Sequence, residues 1–233
     1  MVDSVTLFCL PFAGGNAYSY RSLEEHLSPP IKVVPLEPPG RGRRIKETPL
    51  SSLPAIVIDL IDSMRPSLDK PFALFGHSLG ALAAFLVTSR LNEEQLPLPA
   101  HLFLSGKGPP HRSPPEAGWH TLPLDEFKRK LAELGGSPAA VLANQELMDY
   151  FTPIIRQDLR ILAEYEYTPV SPLNVPITVM IGTGERTTRA EALEWSDLTT
   201  SECRVLQYEG SHFFLFDHLD DICALIRSTL IDS

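Results

Sequence analysis

Short runs rich in β-branched and aromatic residues recur along this chain, separated by longer stretches whose apolar residues return every three to four positions. Val5–Leu10, Ile31–Leu36, Phe72–Phe75, Ala100–Ser105, Ile177–Gly182 and Arg204–Tyr208 read as strands. Most are almost continuously apolar, as parallel strands covered on both faces must be, rather than alternating like a half-exposed sheet. Between them, Tyr18–Leu27, Leu53–Leu68, Leu79–Leu91, Arg189–Leu198 and His218–Leu230 carry helical spacing. Strand and helix alternate. The expectation is an α/β fold with a mainly parallel sheet of about six to seven strands and helices on both faces.

One segment interrupts the rhythm. Residues 106–172 hold no convincing strand and open on the Pro-rich stretch Gly108-Pro-Pro-His-Arg-Ser-Pro-Pro115. Helical patterns follow at Leu124–Leu134, stopped by Gly135-Gly136, and at Gln145–Tyr165, where Pro153 is placed to kink or divide the helix. An ordinary crossover needs about a dozen or more residues, whereas this segment has about 65, so it reads as a helical lid inserted into a single domain spanning 1–233.

Composition narrows the class. A chain of 233 residues, 43% hydrophobic and 21% charged, can bury one substantial core. No apolar run reaches the length of a membrane span, and Met1 leads almost directly into the first strand without a basic region and apolar stretch, so a cytoplasmic protein is expected. The formal net charge of −9 argues against non-specific binding to nucleic acid or an anionic membrane, although Arg41-Gly-Arg-Arg44 with Lys46 forms a local basic cluster. Cys9, Cys203 and Cys223 have no metal-type spacing and read as reduced, buried thiols.

The candidate chemistry centres on Gly76-His-Ser-Leu-Gly80. An apolar strand precedes it and a helix of small apolar residues follows, so G-x-S-x-G here has the strand–turn–helix context of a nucleophile elbow. The glycines let the backbone turn sharply, and the helix presents its positive end to Ser78. The bland alternative is a Gly-rich turn holding an incidental serine. A serine hydroxyl needs a base, and His212 is the best placed histidine, in the loop between the last strand and the last helix. The order Ser…acid…His also calls for a late histidine; otherwise His212 is a packing residue of an aromatic loop. His77 reads as a support for the turn. The third member should be a carboxylate after Ile177–Gly182, and Glu185 is the first available, with Glu191 and Asp197 as rivals that could equally be solvated surface acids. Oxyanion donors are expected from the Leu79 N–H and from the loop Leu10-Pro-Phe-Ala-Gly-Gly-Asn16, where Ala13 or Phe12 offers an N–H. That loop lacks the G-x-G-x-x-G pattern and lysine of a phosphate site.

Together, Leu10-Pro-Phe-Ala-Gly-Gly15, Pro39-Gly-Arg-Gly-Arg43, Gly76-His-Ser-Leu-Gly80, Trp195 and Gly210-Ser-His-Phe-Phe214 resemble the type II thioesterases of nonribosomal peptide and polyketide assembly lines, within the α/β-hydrolase superfamily. The family's catalytic aspartate is replaced here by Glu185 as nearest candidate. The resemblance implies hydrolysis of acyl groups from the phosphopantetheine arm of an acyl or peptidyl carrier protein by a monomer, with Ser78, His212 and an acid, the Ala13 and Leu79 N–H groups as oxyanion donors, and no metal or organic cofactor. Because such carriers are acidic, Arg41, Arg43 and Arg44, with Lys107 or Arg112, are candidate docking residues. The same triad would also serve a carboxylesterase or lipase, since it does not distinguish oxygen esters from thioesters. A non-catalytic acyl- or carrier-binding protein of the same fold is the reading from a different class.

Overall fold

The computed structural model describes residues 5–136 and 139–232; the short Met1–Ser4 lead lies outside them. Strands β1 (Thr6–Leu10), β2 (Lys32–Pro35), β3 (Phe72–His77), β4 (Leu102–Ser105), β5 (Ile177–Gly182) and β6 (Cys203–Tyr208) form one sheet in the order β2-β1-β3-β4-β5-β6. Every pairing is parallel. β1 has β2 on one side and β3 on the other, so the chain reverses its direction of travel across the sheet at β1/β3. In open α/β sheets, the carboxyl ends of the strands at such a reversal leave a crevice.

Period-two alternation assigns the strand side chains to the two faces. Phe8, Leu10, Leu74, Leu104 and Val179 pack with helices α2 (Leu53–Met64) and α3 (Leu79–Glu93). Leu7, Cys9, Phe75, Phe103 and Met180 pack on the other face with α1 (Arg21–Leu27) and the carboxyl-terminal helix (Leu219–Ile231). α2 buries Leu53, Ile56, Val57, Leu60, Ile61 and Met64, the i, i+3, i+4 stripe of a helix lying on a sheet. It ends at Met64, and Arg65–Ser67 tightens into a 3₁₀ turn, because Pro66 has no N–H to continue the ladder. α3 is buried around most of its circumference, and Ala81, Ala83 and Ala84 let it lie close against the strands.

Between β4 and β5, α4 (Leu124–Leu134), α5 (Ala139–Ala143) and α6 (Gln145–Ala163) build the insertion. It has a small core of its own: Trp119, Phe127, Leu131, Met148 and Leu159. α5 has no counterpart in the sequence pattern. α6 runs through Pro153 without dividing. Pro153 and Asp149 are exposed, so the carbonyl that loses its donor faces water, while Met148, Leu159, Ile161 and Leu162 hold the helix down.

Candidate active site

Strand β3 delivers the chain into a turn that only its sequence permits. Ser78 has φ 55° and ψ −116°, a positive φ that ordinary side chains rarely adopt. Its N–H is held by the Ser105 carbonyl at 2.8 Å. A Cβ on Gly76 would lie 2.1 Å from the Gly80 carbonyl oxygen, and one on Gly80 would lie 2.1 Å from the Leu10 carbonyl oxygen. Both contacts are with backbone, which cannot swing aside. The two glycines are therefore required by closure of the elbow and by the approach of α3 to the end of β1. Among the described residues Gln95, in the turn after α3, is the other non-glycine residue with a positive φ; at Ser78 the strained backbone is clamped between a strand and a helix, which points to a site rather than a connecting turn.

Three other strand ends converge on this point. After β6, His212 hydrogen-bonds through Nδ1 to Glu185 Oε1, and both side chains are largely buried. Glu185 stands just after β5, and its other oxygen accepts the Gly182 N–H at 3.0 Å. One carboxylate thus fixes the imidazole from Nδ1 and is itself fixed by backbone. His212 lines the same cavity as Ser78. His77 is fully buried behind them, hydrogen-bonded through Nδ1 to Ser105 Oγ at 3.0 Å, with its ring centroid 4.7 Å from that of His212. Burial holds His77 well below the usual imidazole range, and His212 pushes it the same way, so it stays neutral beside the base. The rival acids are committed elsewhere: Glu191 caps the short helix α7 (Arg189–Leu193), and Asp197 is exposed in the following turn.

The loop after β1 faces Ser78 across the β1/β3 crevice. Tyr20 Oη anchors the end of the strand on the Leu10 carbonyl at 2.7 Å, and the Gly15 N–H closes the turn on the Phe12 carbonyl at 2.8 Å. Among the described residues no protein acceptor takes the N–H of Ala13 or of Leu79. Leu79 opens α3, where unpartnered N–H groups and the helix dipole favour negative charge. Ala13, Ser78 and His212 share a cavity of about 280 Å³ whose far wall is Leu131, Leu134, Met148, Phe151, Ile155 and Leu159 from the insertion. A serine hydroxyl, an imidazole held by a carboxylate, two unpartnered N–H groups and an apolar chamber suit acyl transfer.

The thioesterase domain family matches residues 5–230. The chain belongs to the thioesterase family. Among curated relatives of this thioesterase, the gramicidin S biosynthesis protein GrsT of Aneurinibacillus migulanus is 33% identical over 229 residues, covering 96% of this chain and 90% of that protein. The solved structure of ClbQ from the colibactin NRPS/PKS pathway matches with a TM-score of 0.91 at 34% identity, over 97% of both chains. The type II thioesterase BorB from the borrelidin biosynthetic cluster matches at 0.89 and 32%, over 97% of this chain and 93% of that one. The fold and family expected from the motifs are those found, and the protein is a serine hydrolase acting on thioesters.

The basic cluster of the thioesterase is not the open surface its sequence suggests. Arg41 is 7% exposed and locked on Asp158, which removes it from any docking face. Arg44 is paired with both Asp59 and Glu47, and Arg112 with Glu194. Lys107 is buried, and burial pushes its ammonium below the usual lysine range. Of the three arginines, only Arg43 keeps a mostly exposed side chain, at 67%, and it too approaches a carboxylate, Glu37. The sequence reading missed Asp158 altogether. A single acid among the apolar positions of a helix gives no signal of its partner when that partner is 117 residues away.

Proposed function

We propose that this thioesterase hydrolyses acyl thioesters carried on the phosphopantetheine arm of a carrier protein in a nonribosomal peptide or polyketide pathway. The single observation that carries this reading is the meeting of Ser78, Ala13 and His212 at one largely apolar cavity, with Glu185 holding His212 from behind and the unpartnered Leu79 N–H next in the chain to Ser78. Ser78 Oγ attacks the thioester carbonyl carbon while His212 Nε2 takes its proton; Glu185 stabilises the imidazolium so formed. The carbonyl oxygen becomes an oxyanion between the two N–H donors. Collapse breaks the C–S bond, and His212 returns the proton to the departing thiol. Water then attacks the acyl-Ser78 ester, giving His212 a proton that passes to Ser78 Oγ as the free carboxylic acid leaves. The helical insertion acts as the lid: its apolar wall favours an acyl chain by about 0.8 kcal/mol for each methylene buried.

The relatives support the substrate class by their names, which place them in gramicidin S biosynthesis, the colibactin NRPS/PKS pathway and the borrelidin biosynthetic cluster. Intact-protein mass spectrometry of acyl-loaded carrier proteins tests the reading. Wild type should remove the acyl mass and Ser78→Ala should not. Carriers left acylated by both, with small oxygen esters still cleaved by wild type, would replace this reading with that of an esterase.

A further inference from the structure

Asp158 lies on the lid helix α6, yet its carboxylate is 2% exposed and points at the oxyanion loop rather than into the lid. Oδ2 accepts the Gly14 N–H at 2.8 Å. Arg41 closes on the same carboxylate from the other side, with Nη1 at 2.6 Å from Oδ2 and Nη2 at 2.7 Å from Oδ1, and its Nη1 also donates to the Gly15 carbonyl at 3.2 Å. One turn earlier on α6, Ile155 fills the space where a Cβ on Gly14 would lie, 2.5 Å from its Cγ1, and Gly14 has φ +78°. Successive peptide planes of the loop are thus pinned one by one. Gly15 N–H fixes the Phe12–Ala13 plane through the Phe12 carbonyl, Asp158 fixes the Ala13–Gly14 plane, and Arg41 fixes the Gly15–Asn16 plane. A peptide is rigid and trans, so holding the Phe12 carbonyl and the next plane determines where the Ala13 N–H points.

We infer that Arg41 and Asp158 are positioning residues for the oxyanion hole, a buried clasp through which the lid helix sets the direction of the Ala13 N–H. This rests on the thioesterase mechanism proposed above and assigns the PGRG arginine a role behind the oxyanion loop instead of on a docking face. Neither residue lines the Ser78 cavity. Their loss acts on the transition state, in which the carbonyl oxygen gains charge, and leaves acyl binding largely alone.

A single substitution leaves a buried charge without its partner and lowers stability on that ground alone. The decisive variant is the double substitution Arg41→Met with Asp158→Leu, since replacing both members of a buried pair by apolar residues of similar volume is often neutral for stability. With a short-chain acyl-N-acetylcysteamine thioester, we expect the folded double variant to lose kcat by about 10- to 100-fold, approaching the effect of deleting an oxyanion donor, with KM changed less than about threefold. It should also lose about the same factor in affinity for an acyl trifluoromethyl ketone, which forms an oxyanion on Ser78, while keeping its affinity for the product carboxylic acid. For Arg41→Ala, added guanidinium should restore part of kcat without changing KM. A double variant that melts cooperatively and keeps wild-type kcat overturns the inference, and so does a loss confined to KM. If wild type itself shows no Ser78-dependent turnover of thioesters, the parent reading falls and the inference with it.

Discussion

Glu185→Gln probes the acid that stands where the resemblance to type II thioesterases implies an aspartate. In wild type the two carboxylate oxygens do different jobs: Oε1 accepts from His212 Nδ1 and Oε2 accepts the Gly182 N–H at 3.0 Å. A glutamine has one acceptor and one donor end, so it can satisfy only one wild-type arrangement at a time. If its oxygen keeps His212, its amide nitrogen faces the Gly182 N–H, donor against donor, leaving a buried N–H unpaired at about 1–3 kcal/mol. If it flips, both contacts become good hydrogen bonds, but the amide now donates to Nδ1 and forces the proton onto Nε2. His212 then has no lone pair for the Ser78 proton. The flipped state is favoured by a factor of about 5–150, and the charge that steadies the imidazolium is lost as well. The two effects together predict a fall in kcat of about 10⁴-fold, or about 5.5 kcal/mol of barrier. Thiol release from an acyl-N-acetylcysteamine substrate would be measured beside thermal unfolding, which should move little because the flipped amide leaves no orphan donor. Glu191→Gln should retain wild-type turnover. A Glu185→Gln enzyme within tenfold of wild type would refute the assignment, showing that His212 is oriented by something other than this carboxylate.

Other perturbations have equally specific outcomes. Ser78→Gly should abolish turnover yet raise stability by about 1 kcal/mol, since relief of about 1–3 kcal/mol of strain exceeds the added backbone entropy of about 0.5–1 kcal/mol; a lower Tm would contradict the strained elbow. Gly80→Ala brings a Cβ to 2.1 Å from the Leu10 carbonyl oxygen and 2.9 Å from that of Pro11, so it should unfold early and displace the oxyanion loop. At about 3 kcal/mol of overpacking, a drop in Tm of about 6–12 °C is expected by calorimetry, and an unchanged Tm would rule the contact out. His101, bonded to Thr178 Oγ1 at 2.8 Å, is held at about 4 by burial, with Arg204 acting in the same direction, against 6.5 for the free side chain. Between those values the unfolded chain binds a proton that the folded chain refuses, so stability must fall as pH drops from 6.5 toward 4. Urea titrations at pH 6.5 and 5 should show His101→Gln losing about 1.5 kcal/mol less than wild type over that interval; identical slopes would remove His101 as a source.

By itself the sequence determined the parts that are local. Continuous apolar runs made the four inner parallel strands, β1, β3, β4 and β5, buried along their whole length, because each strand's burial is written in its own residues; the edge strands β2 and β6 are only partly covered. The G-x-S-x-G turn was legible because its glycines answer contacts within a few residues and against the neighbouring strand end. Chain order singled out His212 and Glu185, which the fold brings into hydrogen-bonding contact. Boundaries were less legible: Pro153 looked like a break, and only the packing of α6 on both of its flanks shows why the helix continues. Tertiary structure decided where the basic cluster points. Arg41, Arg43 and Arg44 are near neighbours in sequence, but Arg41 turns inward to a carboxylate on α6 while Arg43 remains largely exposed. No periodicity records such a pairing, because a charge declares its partner only when folding removes the water that would otherwise screen it.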